Sequence, residues 1–65
     1  MPIIDVSLLA GRTEAELRGM ISAVHHAVVT SLGVPPESVR ILVRELPPTH
    51  WAAGGETIAE RRARS

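Results

Sequence analysis

The stretch TEAELRGMISAVHHAVVTSLGVPP, residues 13–36, contains both ends of one helix and the apolar stripe between them. Thr13-Glu14-Ala15-Glu16 fits a capping box, in which Thr13 accepts from the amide three residues on while Glu16 reaches back. Leu17, Met20, Ile21, Val24, Val28 and Leu32 then recur at helical spacing and give a single apolar stripe. Gly33 stands where helices commonly end in the left-handed conformation, and Pro35-Pro36 prevents continuation. The helix bounded in this way has roughly 19 residues and a length of about 28 Å.

On either side lies a strand. Pro2 to Leu9 is rich in Ile, Val and Leu with two polar interruptions, as suits a largely buried strand, and Ala10-Gly11-Arg12 breaks it. Proline is permitted at its start because the first residue of a strand need not donate to the ladder. Val39 to Leu46 is a second strand of mixed polarity and β-branched content, stopped by Pro47-Pro48. Strand, helix and strand predict a βαβ unit whose strands run parallel with a right-handed crossover. His50-Trp51-Ala52-Ala53-Gly54-Gly55 reads as a short hairpin or loop turning at Gly-Gly, and the tail from Thr57 as one or two helical turns. The fold class expected is therefore α/β (α+β), a single βαβ unit with a C-terminal hairpin, in one domain over residues 1–65.

Such a chain is short of core. With 65 residues it buries only roughly 60% of its unfolded surface. Small scaffolds compensate with disulfides, metals or oligomerisation. No cysteine is present, which removes disulfides and thiolate–zinc sites together, and Trp51 is the only aromatic residue. Apolar residues nevertheless make up 45% of the chain. Oligomerisation is the remaining route. The topology points the same way, since two strands under one helix leave edges and one sheet face open. A symmetric dimer would give a four-stranded sheet with two helices on one face, and several dimers would cover the other face.

Seven basic and seven acidic residues cancel, and no basic stripe beyond Arg61-Arg62-Ala63-Arg64 points to nucleic acid. No apolar run approaches the ~18 residues that span a bilayer, and no signal-peptide pattern opens the chain. The expectation is a cytoplasmic protein with neither a nucleic-acid nor a membrane partner.

Three residues carry the chemical interest. Pro2 becomes the N-terminus once Met1 is removed, and its ring nitrogen is then a secondary amine. Held rigidly in a pocket that disfavours the ammonium form, such an amine takes and returns a proton near neutral pH. Proline in second place also serves simply to start a strand. Arg12 and Arg40 shift that balance, because arginine is costly to bury without an anion and its planar fork suits a carboxylate or an enolate oxygen. Arg44 and the tail arginines read instead as surface ion pairs. Trp51 serves equally as a plug between subunits or as a wall that lowers the dielectric around Pro2. His25 and His26 are adjacent, not at the i, i+3 or i+4 spacing of helix-borne metal ligands, and His50 is isolated, so no metal site is read.

Met-Pro-Ile at the start, Leu8-Leu9-Ala10-Gly11-Arg12 closing the first strand, Ser38-Val39-Arg40 opening the next and His50-Trp51-Ala52-Ala53-Gly54-Gly55-Glu56 together resemble 4-oxalocrotonate tautomerase (2-hydroxymuconate tautomerase) over nearly the whole chain. The resemblance implies a tautomerase-superfamily fold assembled as a homohexamer of three dimers, and a cofactor-independent keto–enol tautomerase acting on a dicarboxylate or 2-oxo acid. It implies that Pro2 is general base and then general acid. Arg12 would bind a substrate carboxylate, and Arg40 from a neighbouring subunit would hold the 2-oxo or 2-hydroxy acid end. Trp51 would stand as the aromatic wall and Leu9 would offer a backbone amide. Ala10 departs from an acidic residue common before Gly-Arg, and Ala52-Ala53 from a Gly-Ile pair. Pro47-Pro48 and Trp51 are similar to members of the family found in antibiotic biosynthesis.

Overall fold

A computed structural model describes residues 1–64. The first strand, β1, spans Ile3–Leu9, followed by helix α1 over Glu14–Leu32 and strand β2 over Arg40–Leu46. A hairpin follows, with β3 at Ala52–Ala53 and β4 at Glu56–Thr57, and the helix α2 closes the described chain at Ile58–Ala63. Strands β1 and β2 are parallel, with Ile3 opposite Arg40, Ile4 opposite Ile41, Val6 opposite Val43 and Leu9 opposite Leu46. The βαβ unit and C-terminal hairpin expected from the sequence are both present.

Helix α1 begins and ends where its caps dictate. The Thr13 hydroxyl accepts from the Glu16 amide at 3.1 Å, and Glu16 Oε1 accepts from the Thr13 amide at 3.0 Å. At the other end Gly33 adopts φ 64°, a conformation that costs an L side chain about 1–2 kcal/mol, and its N–H donates to the Val29 carbonyl. Leu17, Met20, Ile21, Val24 and Val28 are half-buried, but Leu32 at the end of the stripe stays 61% exposed. The helix is about 28 Å long and the seven-residue strands about 23 Å, so the last turn overhangs the sheet.

Two short 3₁₀ turns, at Pro36–Ser38 and Pro48–His50, stand where the Pro-Pro pairs alone indicate only a break between elements. Each follows a Pro-Pro pair whose second member supplies the fixed φ suited to a first helical position. The first turn moves the start of β2 from Val39 to Arg40. Gly54 and Gly55, at φ 61° and 80°, form the two-residue connection between β3 and β4, which requires positive φ at both positions. Thr57 and Glu60 form a second capping box that starts α2. Glu56 then accepts from Arg64 at 2.6 and 2.8 Å and from Arg61 at 3.4 Å, tying α2 to the hairpin.

None of the described residues is fully buried. Ile4, Val6, Leu8, Ile41 and Val43 point to the helix side and are only half-buried, while Ile3 and Leu42 on the opposite face are 60% and 54% exposed. The exposed area is 4756 Å², against about 4,000 Å² for a compact chain of this mass. The radius of gyration is 15.3 Å, against about 11 Å for a compact domain of this length. The chain is a flat half-core.

Thr13→Ala removes one half of the α1 capping box and should cost about 1 kcal/mol. The urea midpoint, measured at fixed protein concentration, should fall accordingly; an unmoved midpoint would show that the cap does not hold the helix.

Candidate active site

The parallel pairing sorts the sequence-predicted residues into two groups. Pro2 and Arg40 stand at the N-terminal end of the sheet, where the Arg40 amide donates to the Pro2 carbonyl at 3.0 Å. Pro2 is half-buried. Arg40 is exposed, and its Nη1 donates to the Glu37 carbonyl at 2.7 Å. That carbonyl belongs to the 3₁₀ turn before β2, so the guanidinium is braced from its own side of the sheet. Within one chain Arg40 is not buried among apolar neighbours, because its strand position faces the uncovered side of the sheet.

Leu9, Arg12 and Trp51 lie at the other end. They line a hollow of about 490 Å³ together with Leu8, Ala10, Gly11 and Arg62. The Ala10 amide continues the ladder by donating to the Leu46 carbonyl at 2.8 Å, which fixes where the chain leaves the sheet toward Arg12. Trp51 is half-buried, and its carbonyl accepts from the Ile58 amide at 2.9 Å, so the hairpin and α2 hold it together. A strand of seven residues separates the two groups by about 20 Å. One chain therefore brings Leu9, Arg12 and Trp51 together and Pro2 and Arg40 together, but does not join the groups.

Arg12 and Glu16 form an ion pair of 3.8 Å between exposed side chains. The Thr13 amide donates to Oε1 of the same carboxylate at 3.0 Å, and these bonds, with Arg12 adding attraction, hold the Glu16 carboxyl below its ordinary pKa. Arg64, and after it Arg61, lower the Glu56 carboxyl. Arg44 pairs with Asp5 at 3.8 Å, and Arg61 and Arg64 pair with Glu56, as expected of surface arginines. Among the described residues no group of three or more His, Cys, Asp or Glu is placed to hold a metal ion. His25 and His26 stack edge-on with ring centroids 5.5 Å apart, beside a groove with Arg18, Ser22 and Ile41.

Arg62, which the sequence groups with the other tail arginines as a surface ion pair, lines the Trp51 hollow. The Thr57-x-x-Glu60 capping box sets where α2 begins, but the docking of that helix against the hairpin is what brings Arg62 to the hollow. A second guanidinium beside an indole makes this end of the chain suited to a conjugated anion.

Residues 2–61 match the tautomerase enzyme family. The chain is 37% identical over 62 residues to the 2-hydroxymuconate tautomerase of Pseudomonas sp. strain CF600, covering 95% of this chain and 98% of that one. TomN, a 4-oxalocrotonate tautomerase homologue of the tomaymycin biosynthetic pathway, superposes with a TM-score of 0.92 at 45% identity, covering 95% of each chain. The heterohexameric 4-oxalocrotonate tautomerase of Chloroflexus aurantiacus superposes with a TM-score of 0.88 at 33% identity, over 92% of this chain and 97% of that one. The chain belongs to the tautomerase family. It is an isomerase with the 4-oxalocrotonate tautomerase fold.

Because Glu16 and Glu56 hold fewer protons folded than unfolded, their stabilising contribution is complete above the ordinary Glu range, about pH 4.3. It is lost as pH falls through the depressed values. Glu56→Gln should flatten the acid limb of the melting temperature against pH; a limb as steep as in the parent chain would contradict the pairing.

Proposed function

We propose that the mature chain, begun at Pro2 and formed as one domain, ketonises a 2-hydroxy-dienoate dicarboxylate such as 2-hydroxymuconate in the cytoplasm, as a homohexamer of three dimers. The observation that carries this reading is the division of the site between opposite ends of one parallel strand pair. Two chains whose strands pair antiparallel across a two-fold axis bring unlike ends side by side. The Leu9, Arg12 and Trp51 end of one chain then meets the Pro2 end of the other. The Chloroflexus relative is a heterohexamer, which supports six chains here though not their identity.

In the proposed reaction the unprotonated Pro2 nitrogen takes the 2-hydroxyl proton. The electron pair moves along the diene, and the resulting prolinium returns a proton to the far diene carbon, leaving a 2-oxo acid with one double bond. Atoms and charge balance with no other reactant. Arg12 binds the distal carboxylate. Each Arg40 faces the uncovered side of its own sheet, so the one that serves a given Pro2 comes from a neighbouring chain; it holds the 2-hydroxy acid end and stabilises the developing oxyanion, where a preorganised donor has its largest effect. The Leu9 amide adds a donor, and Trp51 excludes water so that these charges act at low dielectric. Both arginines disfavour the prolinium and so draw the ring nitrogen toward neutrality. While Met1 remains, that nitrogen is an amide and the chemistry is blocked, leaving a non-catalytic assembly protein.

A second reading has its own support. The likeness to TomN, with Trp51 in the hollow wall, favours a biosynthetic tautomerase acting on a ring-opened, catechol-derived intermediate. Rates on both substrate types separate the two.

Intact mass should show the mature chain lacking Met1. Loss of 2-hydroxymuconate absorbance should then slow by about 10²–10⁴ in Pro2→Ala and about 10²–10³ in kcat for Arg40→Ala. Arg12→Ala should act chiefly on KM. Full rates in both Pro2→Ala and Arg40→Ala would refute the mechanism.

A further inference from the structure

The sheet face opposite α1 carries Ile3, Asp5, Ser7 and Leu9 from β1, with Arg40, Leu42, Arg44 and Leu46 from β2. Of its four apolar members Leu9 and Leu46 are half-buried, while Ile3 and Leu42 are 60% and 54% exposed. In the middle of that face stands one ion pair, Arg44 Nη2 to Asp5 Oδ1 at 3.8 Å. The register sets Asp5 opposite Leu42 and Ser7 opposite Arg44, so the two charges meet on the diagonal, with Ile3 and Arg40 beyond them at one end and Leu9 and Leu46 at the other.

We infer that the Asp5–Arg44 pair is covered by a second copy of this chain and fixes the register of that contact. This rests on the oligomeric reading above. A second copy is the occupant because the whole chain exposes about 750 Å² more than a compact chain of its mass, close to the roughly 800 Å² each partner buries in a stable interface, and two of the four large apolar residues most exposed among those described, Ile3 and Leu42, lie on this face. While exposed, the pair contributes little, since solvent screens it and both side chains are more than half exposed. Once covered, it is desolvated, and either charge without the other becomes a buried, uncompensated ion. An aliphatic face without polar positions slides with little change in energy. One charge pair at a fixed diagonal penalises every placement that separates the charges or leaves them against a misaligned copy. Buried polar pairs are best attested in such registry roles.

The experiment compares assembly by light scattering and native mass spectrometry across a dilution series, with circular dichroism reporting the fold. Asp5→Asn and Arg44→Gln should each raise the concentration at which the assembly dissociates by at least tenfold. The double variant Asp5→Leu/Arg44→Leu should assemble at least as tightly as the parent, but in more than one oligomeric form. Single variants that dissociate like the parent would overturn the inference, as would a double variant that is folded and monomeric. If the singles fail to fold, the double variant alone decides, by the same two outcomes. A monomeric parent chain is a different failure: it would overturn the oligomeric reading itself, whatever the variants do.

Discussion

Two parallel strands under one helix form the smallest unit that can satisfy its backbone and still leave most of its apolar surface wet. The β1–β2 pairing depends on the crossover through α1, whose ends are set by the Thr13–Glu16 capping box and by Gly33. That pairing fixes the register, and the register fixes which side chains face the helix and which face outward. Everything on the outward face awaits another surface. No described residue is fully buried, so the hydrophobic contribution that normally holds a domain is largely unrealised in the lone chain.

The same pairing explains why the proposed chemistry belongs to an assembly. Parallel strands put their N-termini together and their C-termini together, so Pro2 and Arg40 gather at one end while Arg12 and Trp51 gather at the other. No side chain rotation spans about 20 Å. Antiparallel association of two such units reverses one of them and closes the gap. Folding, assembly and the proposed site thus share one geometric cause. The dielectric argument follows from it too, because a site closed by a second chain loses the water that screens guanidinium charges in the single chain.

Much of this was legible in the residues. The capping boxes, the apolar stripe, Gly33 and the Gly54-Gly55 turn each act within a few positions, so spacing alone places them. The strands were equally readable from composition, apart from the 3₁₀ turn that delays β2 to Arg40. Arg44, Arg61 and Arg64 pair with acids, as expected of surface arginines, although Arg44 reaches Asp5 only through the strand pairing. The placement of Arg62 beside Trp51 was not legible, since it depends on how α2 docks against the hairpin. Nor was the bracing of Arg40 by Glu37, which follows from the 3₁₀ turn. Family likeness supplied the candidate roles of Pro2, Arg12, Arg40, Trp51 and Leu9. The fold then showed that a lone chain separates those residues.

Subunit complementation tests that separation most directly. Pro2→Ala and Arg12→Ala chains are unfolded together, refolded and assayed beside the separate variants at a substrate concentration far below the raised KM of Arg12→Ala, where each variant alone is slow. If Pro2 of one chain works with Arg12 of another, mixed assemblies contain sites with both residues intact, and a substantial fraction of parent activity returns. A mixture no more active than its components, with mixed assemblies confirmed by mass, would contradict a site shared between chains.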